Sequence, residues 1–446
     1  MKNRLRISVS GIRGEVPGAL NVEVASKFSS AFATFLEGGR AAVCRDSRCT
    51  GRMLELAVLS SIIACGLDGM DFGVLPTPLL QFLMRREKYA GGISLTGGHN
   101  PVFWNAVILL DAGGDYLDVS EGSEVFNIYE AGSFNNVAWR DLGRIHLVEF
   151  PLKSYLEELA SKADRERIRG LGFRVVADPC NGAASLYLGE FCNFFGVDCV
   201  LINDDPDKPF PHPPEPSVDN ASQVEAVVKS TGADLGFLLN SDSTRISFIN
   251  ERGEALSEEM TFPLSLLALK GKIKRAVTTT VTTSLSDWAA QEAGIVLSRT
   301  KVGQSSVIHT MEAGGAEAGG EGSGSLSLLS FSAGYDSLLA LALILDLLSR
   351  KKKSLSELVR TFPSFHMKKI NIEVPPEKTY RVMDRLEEIY RKENPDFTDG
   401  IRVVRNGAWF NVRPSATEFM LRITVEGEKK EVVEAIADEL RERIRP

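Results

Sequence analysis

Three similar mixed α/β domains followed by a C-terminal α+β domain are the fold that three observations predict. The chain has 446 residues, more than one hydrophobic core accommodates. Most of it repeats one theme: an apolar β-rich run, a Gly/Asp/Asn turn, then an amphipathic helix, the alternation that builds parallel α/β sheets. From about Lys368 the order changes to strand, helix, three strands and helix, which reads as an antiparallel sheet.

The first round is a strand and turn (AAVCRDSR, 41–48), a helix (51–66) and a strand (68–74), with a buried-looking strand at 93–95 beyond it. The second is a strand and turn (FRVVADPCNGAA, 173–184), a helix (185–196) and a strand (197–202). The third takes in DLGFLLNSDSTRISFI (234–249), a helix (258–271) and the strand AVTTTVTT (276–283). In the last region, strands at 369–374, 401–406, 408–414 and 419–427 alternate with helices at 379–393 and 431–444. Domain limits of 1–149, 150–252, 253–362 and 363–446 follow, with the charged stretch 349–358 before the last boundary read as a solvated helix end.

A net charge of −8 without a sustained basic stripe argues against nucleic-acid partners. No window approaches the roughly 18 apolar residues of a membrane span, and the N-terminus lacks a signal-peptide run, so a cytoplasmic protein is expected. Cysteines at 44, 49, 65, 180, 192 and 199 form no CxxC pair and read as reduced thiols.

Four turns carry the chemistry. Thr96-Gly97-Gly98-His99-Asn100-Pro101, preceded in the chain by SGIRG with Arg13 between glycines, looks like a phosphate-handling loop with no hydroxyl at its apex, Gly98. LLNSDSTR (238–245) offers Asn240, Asp242 and Thr244 to a hard cation with Arg245 beside them. With one carboxylate it is a poor Mg²⁺ site, so the metal is weak or absent. GGEGSGS (319–325) presents Glu321 and Ser323 to sugar hydroxyls. VRPSATE (412–418) presents Arg413, Ser415 and Thr417 as a phosphate cradle, Arg supplying a bidentate fork.

In this order, together with CRDSRCTGRML, GVLPTPLLQF and DPCNGAA, the turns resemble the α-D-phosphohexomutase family of phosphoglucomutases, phosphomannomutases and phosphoglucosamine mutases, over essentially the whole chain. The resemblance implies four domains around a central cleft that binds a hexose phosphate. In that family the first loop reads TASHNP or TGSHNP and its serine carries the transferred phosphoryl group; Gly98 stands at that position. The family's lysine ten residues further on is Ile108. Two of the three aspartates of its metal loop are Asn240 and Thr244, and the histidine of its sugar loop is Ser325. Arg13, His99, Glu321, Ser323, Arg413, Ser415 and Thr417 keep the family's binding chemistry, although Ala416 and Phe419 alter the phosphate loop.

Glycine has no oxygen to phosphorylate, so the covalent cycle cannot run through this loop. One expectation is therefore a phosphosugar-binding sensor or partner protein, as a homodimer or paired with an active paralogue. Another is an enzyme with altered phosphoryl transfer, through a free bisphosphate or His99. A third is an ordinary mutase with Thr96 or Ser94 as nucleophile.

Overall fold

The computed structural model describes residues 5–8, 10–415 and 420–444 and divides the chain into two compact units. One joins the chain through Thr261 to Ser323–Leu358; the other joins Phe262–Gly322 to the chain from Val359 onward.

In the first unit, a seven-stranded sheet runs Arg6–Ser8, Gly11–Glu15, Trp104–Leu110, Gly91–Leu95, Arg40–Arg45, Asp68–Val74, Ile145–Leu147. It is mixed, which corrects the expectation of a parallel sheet: Trp104–Leu110 is antiparallel to both of its neighbours. The connection dictates this. Residues 96–103 are too few for a crossover, which takes about a dozen, so the chain returns antiparallel. One face of the sheet packs Ile12, Val43, Ile93, Val107 and Leu109 against Phe28, Phe32, Leu54 and Val58 of helices Val22–Leu36 and Gly51–Ala64.

A second sheet has the order Ile246–Asn250, Leu235–Leu239, Arg174–Asp178, Asp198–Leu201. Its first pair is again an antiparallel hairpin, closed by 240–245. The two strands read as part of a third round therefore belong with 174–178 and 198–201, because so short a connection pairs them locally.

Helix Ser337–Lys351 (SLLALALILDLLSRK) is apolar all round and buried from Ser337 to Ser349, as a helix without a polar face must be. Asp336 caps it, accepting from Leu338 N (2.9 Å), Leu339 N (3.0 Å) and the Tyr155 hydroxyl (2.9 Å). Burial pushes the Asp336 carboxyl up to about 6. This helix ties 323–358 to the first unit, while Lys351, Lys352 and Lys353 at its end are exposed.

In the second unit, Val296–Thr300, Arg275–Thr279 and Ala318–Gly319 pair in parallel. The strand expected over 276–283 ends at Thr279. There the hydroxyl of Thr282 meets those of Thr278 (2.9 Å) and Thr279 (2.8 Å), and such local bonding competes with a strand ladder. The antiparallel sheet His366–Glu373, Met420–Gly427, Ala408–Pro414, Ile401–Arg405 bears helices Pro376–Tyr390 and Lys430–Ile444 over Val403, Phe410, Ile423 and Val425, the α+β arrangement expected. The buried Glu426 joins the two sheets of this unit, accepting from Thr283 Oγ1, Ser284 N (2.7 Å) and Trp409 Nε1 (2.8 Å).

Candidate functional site

Two hairpin connections of the first unit, 96–103 and 240–245, meet. Strand Gly91–Leu95 is buried throughout, and the chain leaves it at Thr96. Gly98 at the apex has φ +54, a left-handed conformation that glycine adopts without strain. A Cβ added there would lie 3.6 Å from Asp242 Oδ2, an ordinary contact, so space for a side chain exists.

Arg48 holds the loop from inside. Its Nη1 donates to Pro101 O (2.7 Å), its Nη2 to Gly98 O (2.7 Å) and Asn100 O (2.8 Å), and its Nε to Asp46 Oδ2 (3.0 Å). Gly97 has no room for a side chain, since a Cβ would stand 2.6 Å from this guanidinium. Ser241 Oγ donates to Gly98 O (2.9 Å) and lies 2.9 Å from Asp46 Oδ2. Asn100 Nδ2 closes the turn on Gly97 O (2.7 Å).

In loop 240–245 the Asp242 carboxylate is satisfied largely from within the loop, while the buried Ser243 Oγ has no partner among the described residues. Asp242 Oδ1 accepts from Asn240 Nδ2 (2.8 Å) and Thr244 Oγ1 (2.7 Å), and Asp242 Oδ2 meets Thr96 Oγ1 (3.0 Å). The Arg245 backbone N–H donates to Asn240 Oδ1 (3.0 Å), which turns the NH₂ of that amide toward Asp242. Asn240 and Asp242, the two residues singled out as metal ligands, thus face each other as donor and acceptor. An N–H directed inward beside one occupied carboxylate does not fit a hard divalent cation, which needs converging oxygens.

Strand register places the remaining residues. Arg13 lies opposite Ala106, and Ala106 O accepts from Thr96 N (3.2 Å), so Arg13, Ala106 and Thr96 form one row. Ile108 lies opposite both Gly11 and Ser94 and is buried. Burial lowers the pKa of Arg13, and neighbouring Arg245 and Arg6 push the same way against Tyr116 and Asp242. The hydroxyl of Ser94 is buried against Thr77 Oγ1 (2.7 Å); that of Thr96 meets Asp46 Oδ2 (2.8 Å) and accepts from Gly98 N (2.9 Å). His99 is half-buried beside Gly98. Ser323 Oγ pairs with Ser325 Oγ (3.1 Å), next to Gly324, whose φ of +83 lets it lie on Ile246 O.

In the second unit, Glu321 Oε1 accepts from Gly303 N (2.6 Å). Arg413 is 3.9 Å from Asp399 Oδ2, which accepts from Val302 N (3.0 Å). Burial lowers the pKa of Arg413; Asp399 and Glu321 act against that and Arg422 with it. Ser415 N donates to Met420 O (2.9 Å), closing the hairpin; Thr417, Ala416 and Phe419 lie outside the described residues.

The sequence reading did not assign roles to Asp46, Arg48, Ser241 or Asp399. An Asp-x-Arg pair directly after a strand was the available signal for the first two. A further cluster also went unassigned: Asp178 Oδ2 lies 3.1 Å from His212 Nε2, and His212 Nδ1 lies 2.8 Å from Pro213 O. Burial alone would depress His212, but Asp178 and Cys180 carry it up to about 10.

Four models of the phosphoglucomutase/phosphomannomutase domains match in succession: α/β/α domain I over residues 5–136, domain II over 153–253, domain III over 263–365 and the C-terminal domain over 370–443. A phosphoglucomutase/phosphomannomutase of Thermococcus kodakarensis is 31% identical over 431 residues, covering 94% of each chain. The chain belongs to the phosphoglucomutase/phosphomannomutase family. A probable phosphoglucosamine mutase of Methanopyrus kandleri is 32% identical, covering 98% of this chain and 97% of that one. Among solved structures, a phosphoglucomutase/phosphomannomutase family protein of Burkholderia thailandensis superposes with a TM-score of 0.84 at 22% identity, covering 98% and 97% of the two chains. A putative phosphomannomutase from Thermus thermophilus gives 0.83 at 23%, covering 99% of both. These two establish the fold alone. No helix among the described residues is long and apolar enough to cross a membrane.

Proposed function

We propose that this member of the family binds a phosphorylated hexose and does not run a phosphoserine-dependent mutase cycle. The observation that carries the reading is the apex of the first loop: Gly98 offers no side-chain oxygen, and the hydroxyls around it, those of Thr96, Ser241 and Ser94, are buried and hydrogen-bonded. None of the three can approach a substrate without dismantling the loop root. Loop 240–245 supports the same reading, since Asn240 and Thr244 supply to Asp242 the donors that replace a cation. We take it to hold no Mg²⁺.

What remains is recognition. Arg413 and Ser415 are assigned to the ligand phosphate, with Thr417 from the same loop; Glu321 and Ser323 are assigned to sugar hydroxyls. His99 and Arg13 are kept as anion contacts. The protein then acts in the cytoplasm as a sensor or partner, as a homodimer or beside an active paralogue. A thermal-shift titration with glucosamine 6-phosphate, glucose 6-phosphate and mannose 6-phosphate tests the binding claim. At least one should raise the melting temperature, and Arg413→Ala should remove that shift; an unchanged shift in the variant would sink the cradle assignment.

The names of the relatives favour a second reading, an active hexose-phosphate mutase or an altered phosphoryl-transfer enzyme. In that case a free hexose bisphosphate, rather than the chain, carries the exchanged phosphoryl group. Turnover by the wild type that disappears in Arg413→Ala would select it.

A further inference from the structure

Two cysteines of the second sheet are brought together by a single helix-to-strand turn. Helix Leu188–Phe195 ends at Gly196, whose φ of +68 reverses the chain, and Val197 N donates back to Cys192 O (2.8 Å). The strand Asp198–Leu201 then runs back along the helix, parallel to Arg174–Asp178. Arg165 Nε donates to Phe194 O (2.7 Å), and Arg169 fills the space over Gly196, where a Cβ would stand 2.8 Å from its Cγ. The turn is therefore held from outside, and the residues it joins stay close.

Side-chain alternation decides which way each sulfur faces. Val176 and Val200, paired across two strands, pack with Val224 and Val228 of helix Ser222–Thr231. Cys199, opposite Val175, is one residue off that row and so faces the other side of the sheet, the side of helix Leu188–Phe195. Cys192 lies on the inner face of that helix with Leu188, Phe191 and Phe195, and is buried. Its thiol meets that of Cys199, and this contact, together with burial, holds it above the ordinary thiol range. Cys199 is only half-buried, because its strand is the edge of the sheet. The other four sulfurs are placed differently: Cys44 donates to Ser94 Oγ (3.6 Å), Cys65 to Ser30 O (3.8 Å) and Cys180 to His212 O (3.6 Å), while Cys49 is exposed.

We propose that Cys192 and Cys199 are a modification site, a dithiol that closes reversibly into an intramolecular disulfide. The oxidant is a small disulfide of the glutathione class. The thiolate of Cys199, the sulfur that solvent reaches, attacks one sulfur of the reagent, whose S–S bond breaks and releases its first thiol. Cys192 then attacks the mixed disulfide at the Cys199 sulfur and releases the second. Two protein thiols are oxidised, one reagent disulfide is reduced to two thiols, and the two protons leave on them. The new bond closes residues 192–199 into a ring and ties the helix covalently to the edge strand. The site stands apart from the hexose reading, since neither cysteine is among the residues assigned to the ligand.

Treating the folded full-length protein with oxidised glutathione, then alkylating it in urea and mapping its peptides without reduction, tests the proposal. Cys192 and Cys199 should both be protected from alkylation, the peptide that carries them should lose the mass of two hydrogens, and dithiothreitol should restore both thiols. Cys192→Ser should stop the reaction at a glutathione adduct on Cys199. Cys199→Ser should leave Cys192 reduced, and Cys180→Ser should leave the product unchanged. Protein unfolded in urea before the reagent is added should instead give a mixture of pairings and adducts, and the same mixture from the folded protein would overturn the proposal. So would a stable glutathione adduct on Cys199 of the wild type, or alkylation of both thiols after treatment.

Discussion

Replacing Arg48 with methionine should destabilise the first unit by about 3–5 kcal/mol, the range for breaking one side of a buried ion pair. The side chain is fully buried, and four acceptors depend on it: Asp46 Oδ2 and the carbonyls of Gly98, Asn100 and Pro101. Methionine keeps most of the volume and removes every donor. Asp46 retains contacts to Thr96 Oγ1 and Ser241 Oγ, which limits its loss. Each orphaned carbonyl adds about 1 kcal/mol unless water enters, and these terms are not additive. A second change, Asp46→Asn, removes the stranded charge and should recover about 1–2 kcal/mol of the loss, a coupling within the range for residues in contact. Because two units need not unfold together, hydrogen-exchange mass spectrometry on peptides spanning 91–110, across a urea series, is the suitable readout. A loss below about 1 kcal/mol, or additive effects of the two changes, would refute the view that Arg48 holds the loop through a buried pair.

Gly98→Ser should cost about 1 kcal/mol, because φ is +54 there, and should not create mutase activity, since Ile108 and loop 240–245 are unchanged; activity assays and melting curves on the one variant check both. Asn240→Asp combined with Thr244→Asp should lower the melting temperature without metal and restore it with Mg²⁺ at about 10 mM, a concentration that should leave the wild-type melting temperature unmoved. His212 has a folded-state pKa raised from 6.5 to about 10, so its stabilising contribution is full below 6.5 and is lost as pH climbs through 10. Wild-type stability should fall across that window by up to a few kcal/mol, and His212→Gln should flatten the fall; parallel profiles would exclude His212 as the cause.

The course of the chain was largely legible, the partners of its turns much less so. Strand positions followed from apolar runs, and the last sheet from the change of order at Lys368. Strand direction was not written in the runs themselves. It depended on 96–103 and 240–245 being too short to cross over, which made both connections hairpins. Helix Ser337–Lys351 went unread in the sequence, as did its capping by Asp336 and the meeting of that carboxylate with Tyr155 of the same unit. At the site, the replacements at Gly98, Ile108, Asn240 and Thr244 could be read directly. What they do could not. The amide of Asn240 is oriented by the Arg245 backbone N–H, and Arg48 reaches carbonyls some fifty residues away in the chain. Such contacts exist only once the two hairpins are folded against each other.

The loop around Gly98 is proposed to bind its ligand without transferring a phosphoryl group to the chain. A coupled mutase assay addresses it most directly, with glucose, mannose and glucosamine phosphates, Mg²⁺ and a hexose bisphosphate, and with Arg413→Ala as the control for contaminating enzyme. The expected result is no turnover above that control, with hexose phosphate binding still detectable. Turnover that vanishes with Arg413→Ala would contradict the claim and place the chain among the active mutases.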